Sequence, residues 1–167
     1  MTHEAVHVMV VEDEADARDA DAEVLWQAGY RVSTADDGCE ALTLLGGYER
    51  NDLPDVILTD LLMPLLDGWE LTRRVAEDPR LCTIPVVVMT ASGRNAVANA
   101  PTAMGYVPKP VAIDQLLLAL ERAIGETRRP RWQSGARPLA PVVDSLGGAR
   151  RSSRPPAPKT ARLRRGR

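Results

Sequence analysis

No run of apolar residues in this 167-residue chain approaches the roughly 20 needed to cross a bilayer. The segment MTHEAVHVMVVEDE is too acidic and too briefly apolar to read as a signal peptide, so the chain is expected to stay in the cytoplasm. Cysteine is scarce as well. Cys39 and Cys82 have no spacing that suggests a zinc site, and two cysteines in a cytosolic chain are more often small buried hydrophobes than a bridge. Histidine is limited to His3 and His7, neither of which has a partner motif for catalysis or metal binding, and aromatic residues make up only 4%. Trp26, Trp69 and Trp132 sit in no motif that gives them a role.

What is present is enough apolar material for one core, 44% of the residues, and a lopsided distribution of charge. From Thr127 onward eleven arginines and Lys159 face the single acid Asp144, a net of +11. The chain total of −2 therefore leaves −13 on residues 1–126, an acidic body with a basic tail. The tail, 127–167, is rich in Arg, Pro, Gly, Ser and Ala without periodicity, and is expected to be disordered because it cannot bury enough apolar surface to offset its ordering entropy.

Within the body, apolar runs of strand length recur at residues 6–11, 30–34, 55–59, 85–89 and 105–107, each pair separated by room for a helix. That alternation predicts an α/β fold with a five-stranded, doubly wound parallel sheet and about five helices. The first helix should bury Ala17, Ala20, Val24 and Ala28 and be capped by Gly29. The second should follow the Asp37-Gly38 turn and stop at Gly46-Gly47, and the third should cover roughly residues 69–76. The last shows an apolar stripe of Ile113, Leu116, Leu117, Leu120 and Ile124 that ends at Gly125. Residues 92–104 are rich in Ala and Asn and interrupted by Pro101, which predicts a short or irregular helix.

Ligands of open parallel sheets bind beyond the carboxyl ends of the strands, and here those ends are polar. The first strand runs into Glu12-Asp13-Glu14, the third into Asp60, the fourth into Thr90 and the fifth into Lys109. Glu12, Asp13 and Asp60 would crowd one crevice, where their mutual repulsion calls for a cation. Mg²⁺ suits such a site, because one or two carboxylates and several waters hold it while phosphate oxygens complete its shell. Thr90 offers a hydroxyl and Lys109 a point charge to a transferring phosphoryl group, with Asp60 as the nucleophile.

The segments VVEDE at 10–14, DVILTDLLMPLLDGWEL at 55–71, PVVVMTAS at 85–92 and GYVPKP at 105–110 together resemble the receiver domains of bacterial two-component response regulators, over about residues 5–126. The resemblance is to a stand-alone, chemotaxis-type regulator. It implies a flavodoxin-like strand order of 2-1-3-4-5, with Asp60 as phosphoacceptor. It further implies that Asp13 and Asp60 bind Mg²⁺ directly, that Glu12 acts mainly through water, and that the backbone carbonyl of Leu62 adds a ligand. Thr90 and Lys109 would hold the phosphoryl oxygens, Lys109-Pro110 would be a cis peptide, and Tyr106 would be an aromatic switch following Thr90. The implied partners are a histidine kinase or histidine phosphotransfer protein and a downstream protein target, with a homodimer also open. Catalysis would be limited to the chain's own phosphorylation and dephosphorylation.

The sequence departs from the family's pattern in two places. The interval from Thr90 to Lys109 is about one helical turn shorter than usual, and Leu62 and Ser92, two residues beyond Asp60 and Thr90, carry no acid or amide to orient a hydrolytic water. Two enzyme readings fail on the residues. A haloacid-dehalogenase-type phosphatase needs a second Asp where Leu62 stands, and the acidic EDE after the first strand would repel the phosphate of a flavodoxin's cofactor. A degenerate receiver used as a docking scaffold, and a regulator that binds nucleic acid through its tail, remain as alternatives. The tail has the charge for phosphate contacts but no helix-turn-helix or zinc motif, and only Trp132 as an aromatic.

Overall fold

The computed structural model describes residues 5–91 and 103–128. The expected irregular helix at 92–104 falls largely outside these residues, as do Ser92 and the tail beyond Arg128. The elements run β1 (His7–Val11), α1 (Ala15–Gln27), β2 (Arg31–Ala35), α2 (Gly38–Gly47), β3 (Val56–Asp60), α3 (Gly68–Glu77), β4 (Val86–Thr90), β5 (Gly105–Pro108) and α4 (Ile113–Arg128). All strand pairs are parallel and the order is β2-β1-β3-β4-β5, as the resemblance implied.

The near-continuous apolar composition of β1, β3 and β4 follows from burial on both faces, and all five residues of each are buried. Because side chains alternate along a strand, Met9, Val11, Ile57, Val86 and Val88 join one core with α2 and α3 through Ala41, Leu45, Leu71 and Val75. Val8, Val10, Val56, Leu58, Val87 and Met89 face the other core, closed by Leu25 of α1 and by Leu116 and Leu120 of α4.

Local signals account for three of the helix boundaries. Asp37 caps α2 by accepting from the Glu40 amide at 2.8 Å, and Glu40 reaches back to the Asp36 amide at 2.7 Å. Asp67 caps α3 in the same way through the Glu70 amide at 2.8 Å. Gly29, at φ +91°, reverses the chain after α1, with its amide on the Trp26 carbonyl at 2.9 Å and that of Tyr30 on Leu25 at 3.1 Å.

Three expectations are corrected. In α1 the deeply buried residue is Leu25, while Ala20 and Ala28 are exposed; alanine covers so little surface that the one bulky aliphatic sets the helix's rotation. In α4 Ile113 is exposed and Ala123 buried, and the helix continues through Gly125 to Arg128. A single exposed glycine costs a helix only about 1 kcal/mol, so it does not end one that α4's packing supports. Cys39 and Cys82 are free and exposed and take no part in the core.

Candidate functional site

Parallel pairing brings the carboxyl ends of β1, β3, β4 and β5 to one edge of the sheet. Asp60 and Thr90 are the last residues of their strands, one position further into regular structure than the sequence suggested. Their backbones are therefore held by the ladder. The amide of Leu61 bonds the Met89 carbonyl at 3.0 Å, and that of Lys109 bonds the Thr90 carbonyl at 2.9 Å. The Lys109-Pro110 peptide is cis.

The charged groups meet as the sequence required. Ligand oxygens of Glu12, Asp13 and Asp60 all lie within 4.8 Å of one another, with Glu12 and Asp60 buried and Asp13 exposed at the rim. Lys109 Nζ stands 2.7 Å from Glu12 Oε2 and 3.1 Å from Asp60 Oδ2, joining the ends of β1 and β3 through the end of β5. Burial pulls the Lys109 pKa down, but Glu12 and then Asp60 outweigh it and hold the ammonium above its ordinary value. The other Asp60 oxygen, Oδ1, accepts from the Leu61 amide at 2.7 Å, and the Arg18 guanidinium holds the Glu12 carbonyl at 2.8 Å.

Gly68 completes the seat of Asp60. A methyl group there would collide with the Asp60 carbonyl oxygen and lie 3.0 Å from Leu61 Cα, so only glycine allows the start of α3 to press against the end of β3. Its amide bonds the Leu61 carbonyl at 3.0 Å. Between them the loop exposes Leu62 and Leu65, and Leu65 is held at φ +65°.

Tyr106 is half-buried against the core of α2 and α3, and that burial raises its hydroxyl pKa. It pairs in register with Val88, two residues before Thr90, so by strand alternation Thr90 and Tyr106 share one face of the sheet as diagonal neighbours. All seven residues singled out in the sequence lie at or beside the carboxyl edge. Sequence reasoning missed Arg18 and Asp21, because a stripe phased on alanines turns their face of α1 outward; the spacing from Leu25 was the available signal.

The donor set fits a hard divalent cation. Three carboxylates within one coordination span offer oxygen ligands, and an exposed Asp13 leaves room for water, as Mg²⁺ requires.

Comparison with known proteins agrees with this geometry. Residues 8–121 match the family model "Response regulator receiver domain". The chain is 32% identical over 145 residues to the DNA-binding transcriptional regulator NtrC of Escherichia coli (strain K12), covering 85% of this chain and 30% of that protein. It is 32% identical over 127 residues to response regulator MprA of Mycobacterium sp. (strain KMS), covering 73% of this chain and 52% of that protein. The chain thus spans about half or less of the length of these relatives. Among solved structures, a putative response regulator from Chloroflexus aurantiacus superposes with a TM-score of 0.66 at 29% identity, covering 73% of this chain and 99% of that one. Chemotaxis protein CheY4 of Vibrio cholerae does so with a TM-score of 0.66 at 28% identity, covering 72% and 99%. Among the described residues no helix is long and apolar enough to cross a membrane. Strand order, the acidic edge with its lysine, and the match over residues 8–121 lead to one assignment: the chain belongs to the response regulator receiver domain family.

Proposed function

We propose that this chain is a phosphoacceptor switch of a two-component phosphorelay, in which Asp60 takes a phosphoryl group from a histidine kinase or histidine phosphotransfer protein. The observation that carries the reading is the gathering of three acids at one edge, with Lys109 bridging two of them, Glu12 and Asp60, at 2.7 and 3.1 Å. In the transfer an Asp60 carboxylate oxygen attacks phosphorus, the bond from phosphorus to the donor nitrogen breaks, and the electron pair leaves with the imidazole.

Asp13, Asp60 and the Leu62 carbonyl would hold Mg²⁺ directly and Glu12 through water; when bound, the ion supplies charge neutralisation between carboxylates and phosphoryl oxygens. Lys109 and the Thr90 hydroxyl take the remaining phosphoryl oxygens, and Tyr106, on the same face as Thr90, follows its movement. The chain's catalysis is confined to its own phosphorylation and dephosphorylation. Output passes by protein contact in the cytoplasm, to a downstream target or a second copy.

A second reading, favoured by the +11 tail, adds nucleic acid as a partner. A docking scaffold without phosphorylation gains no support from a complete acid, threonine and lysine set. The test is incubation with Mg²⁺ and acetyl phosphate, which should add one acid-stable, base-labile phosphoryl group that Asp60→Asn abolishes. Undiminished labelling of that variant, or labelling in excess chelator, overturns the reading.

A further inference from the structure

One face of α1 breaks the rule that inward positions are apolar. Leu25 is fully buried, and Asp21, four residues earlier, shares its side of the helix. Arg18 is one turn further back and donates to the Glu12 carbonyl, so this stretch of α1 lies along the strand end that carries Glu12. Asp21 is half-buried there and forms no hydrogen bond or salt bridge among the described residues. A carboxylate turned inward without a partner costs stability, and such violations of local rules gather where function demands them. The field around Asp21 identifies the demand. After burial itself, the influences on its pKa are Glu12, which raises it, Lys109, which lowers it, and Asp60, which raises it.

We propose that Asp21 is a fourth acid of the Asp60 site, a positioning residue that touches no reacting atom but sets the potential in which cation and phosphodonor arrive. The inference rests on the phosphoacceptor reading and deepens it. A negative charge on α1 strengthens attraction for a divalent cation and opposes the approach of an anionic donor, so its two effects have opposite signs.

The test uses the full chain with Asp21→Asn, which keeps shape and removes charge. At low salt its Mg²⁺ dissociation constant should rise by about two- to five-fold, the scale of one unit charge acting across a wet crevice. At saturating Mg²⁺ its labelling by acetyl phosphate should be faster than wild type by a similar factor. Both differences should shrink at high salt, and Asp21→Glu should restore wild-type behaviour. A helix loosened by the substitution would weaken binding and labelling together. An unchanged dissociation constant, parallel losses, or effects indifferent to salt overturn the inference while wild-type labelling remains intact. Failure of the wild-type chain to label overturns the phosphoacceptor reading, and this inference with it.

Discussion

Gly68→Ala and Gly46→Ala add the same methyl group to two helices and should have opposite effects. At Gly68 the new carbon would collide with the Asp60 carbonyl oxygen and lie 3.0 Å from Leu61 Cα and 3.1 Å from the Asp60 carbonyl carbon. All three are backbone atoms of a buried strand end, so none can rotate away as a side chain would. Overpacking of this kind costs about 1–3 kcal/mol. Alanine's better helix propensity returns about 0.5–1 kcal/mol, leaving a net loss centred on about 1 kcal/mol. At Gly46, in the last turn of α2, nothing lies within 4 Å of the added carbon, so only the gain of about 0.5–1 kcal/mol remains. Urea unfolding should lower the midpoint for the first variant and raise it for the second, at an unchanged slope. Because the Gly68 methyl pushes on the peptide of Asp60, that variant should also label more slowly with acetyl phosphate, while Gly46→Ala labels like wild type. A Gly68→Ala protein as stable as wild type would refute the close approach of α3 to β3.

Asp13→Asn should weaken Mg²⁺ binding more than Glu12→Gln and barely alter stability, because Asp13 is exposed; Glu12→Gln should cost on the order of 1 kcal/mol by removing the charge from a part-buried pair with Lys109. Equal losses of Mg²⁺ affinity would contradict the proposed shell. His7 is 5% exposed, takes a bond from Arg31 on Nδ1 at 2.8 Å and so donates from Nε2 to Ser33 at 2.9 Å, a neutral tautomer. Burial, then Arg31, holds its pKa below the ordinary value. The stability it contributes is therefore present above the unfolded value of about 6.5 and lost as pH falls through the lower folded value. Thermal melts should show His7→Gln losing less stability than wild type over that acid range, and identical slopes would disprove the linkage. With Leu62 and Ser92 unable to orient water, the wild-type acyl phosphate should outlast that of a Leu62→Asn, Ser92→Glu double variant, and a longer half-life in the variant would count against this. If the tail contacts nucleic acid, the full chain should bind duplex DNA without sequence preference, increasingly weakly as salt rises. A truncation after Arg128 should not bind, and equal binding by the two chains removes nucleic acid as a partner.

The fold was legible because its signals are local and redundant. Buried parallel strands show as continuous apolar runs, and Asp37 and Gly29 mark helix ends with residues whose chemistry suits little else. The site was legible because parallel pairing converts the residue at each strand end into a neighbour of the others, so Glu12, Asp60, Thr90 and Lys109 needed only correct strand assignments. Failures came where one residue had to outvote a pattern. Leu25 overrules a stripe of three alanines and Val24 in setting the rotation of α1, which brings Arg18 and Asp21 inward, and the packing of Leu120, Ala123 and Ile124 carries α4 past Gly125. Cys39 and Cys82 were expected from general tendency rather than position, and tendency places no residue.

The alternation of β4 and β5 has a mechanical consequence. Thr90 and Tyr106 project towards α2 and α3, whereas Val107 and Met89 project towards α1 and α4. In the proposed switch the sheet is a bulkhead with its moving parts on one side, and a displacement that begins at Thr90 reaches the outer surface on the flank that carries Tyr106. The α1 and α4 flank supplies the fixed mounting against which that movement is made. Changing Leu116 or Leu120 alters how firmly the bulkhead is held, while changing Val88, the register partner of Tyr106, alters what the movement pushes against.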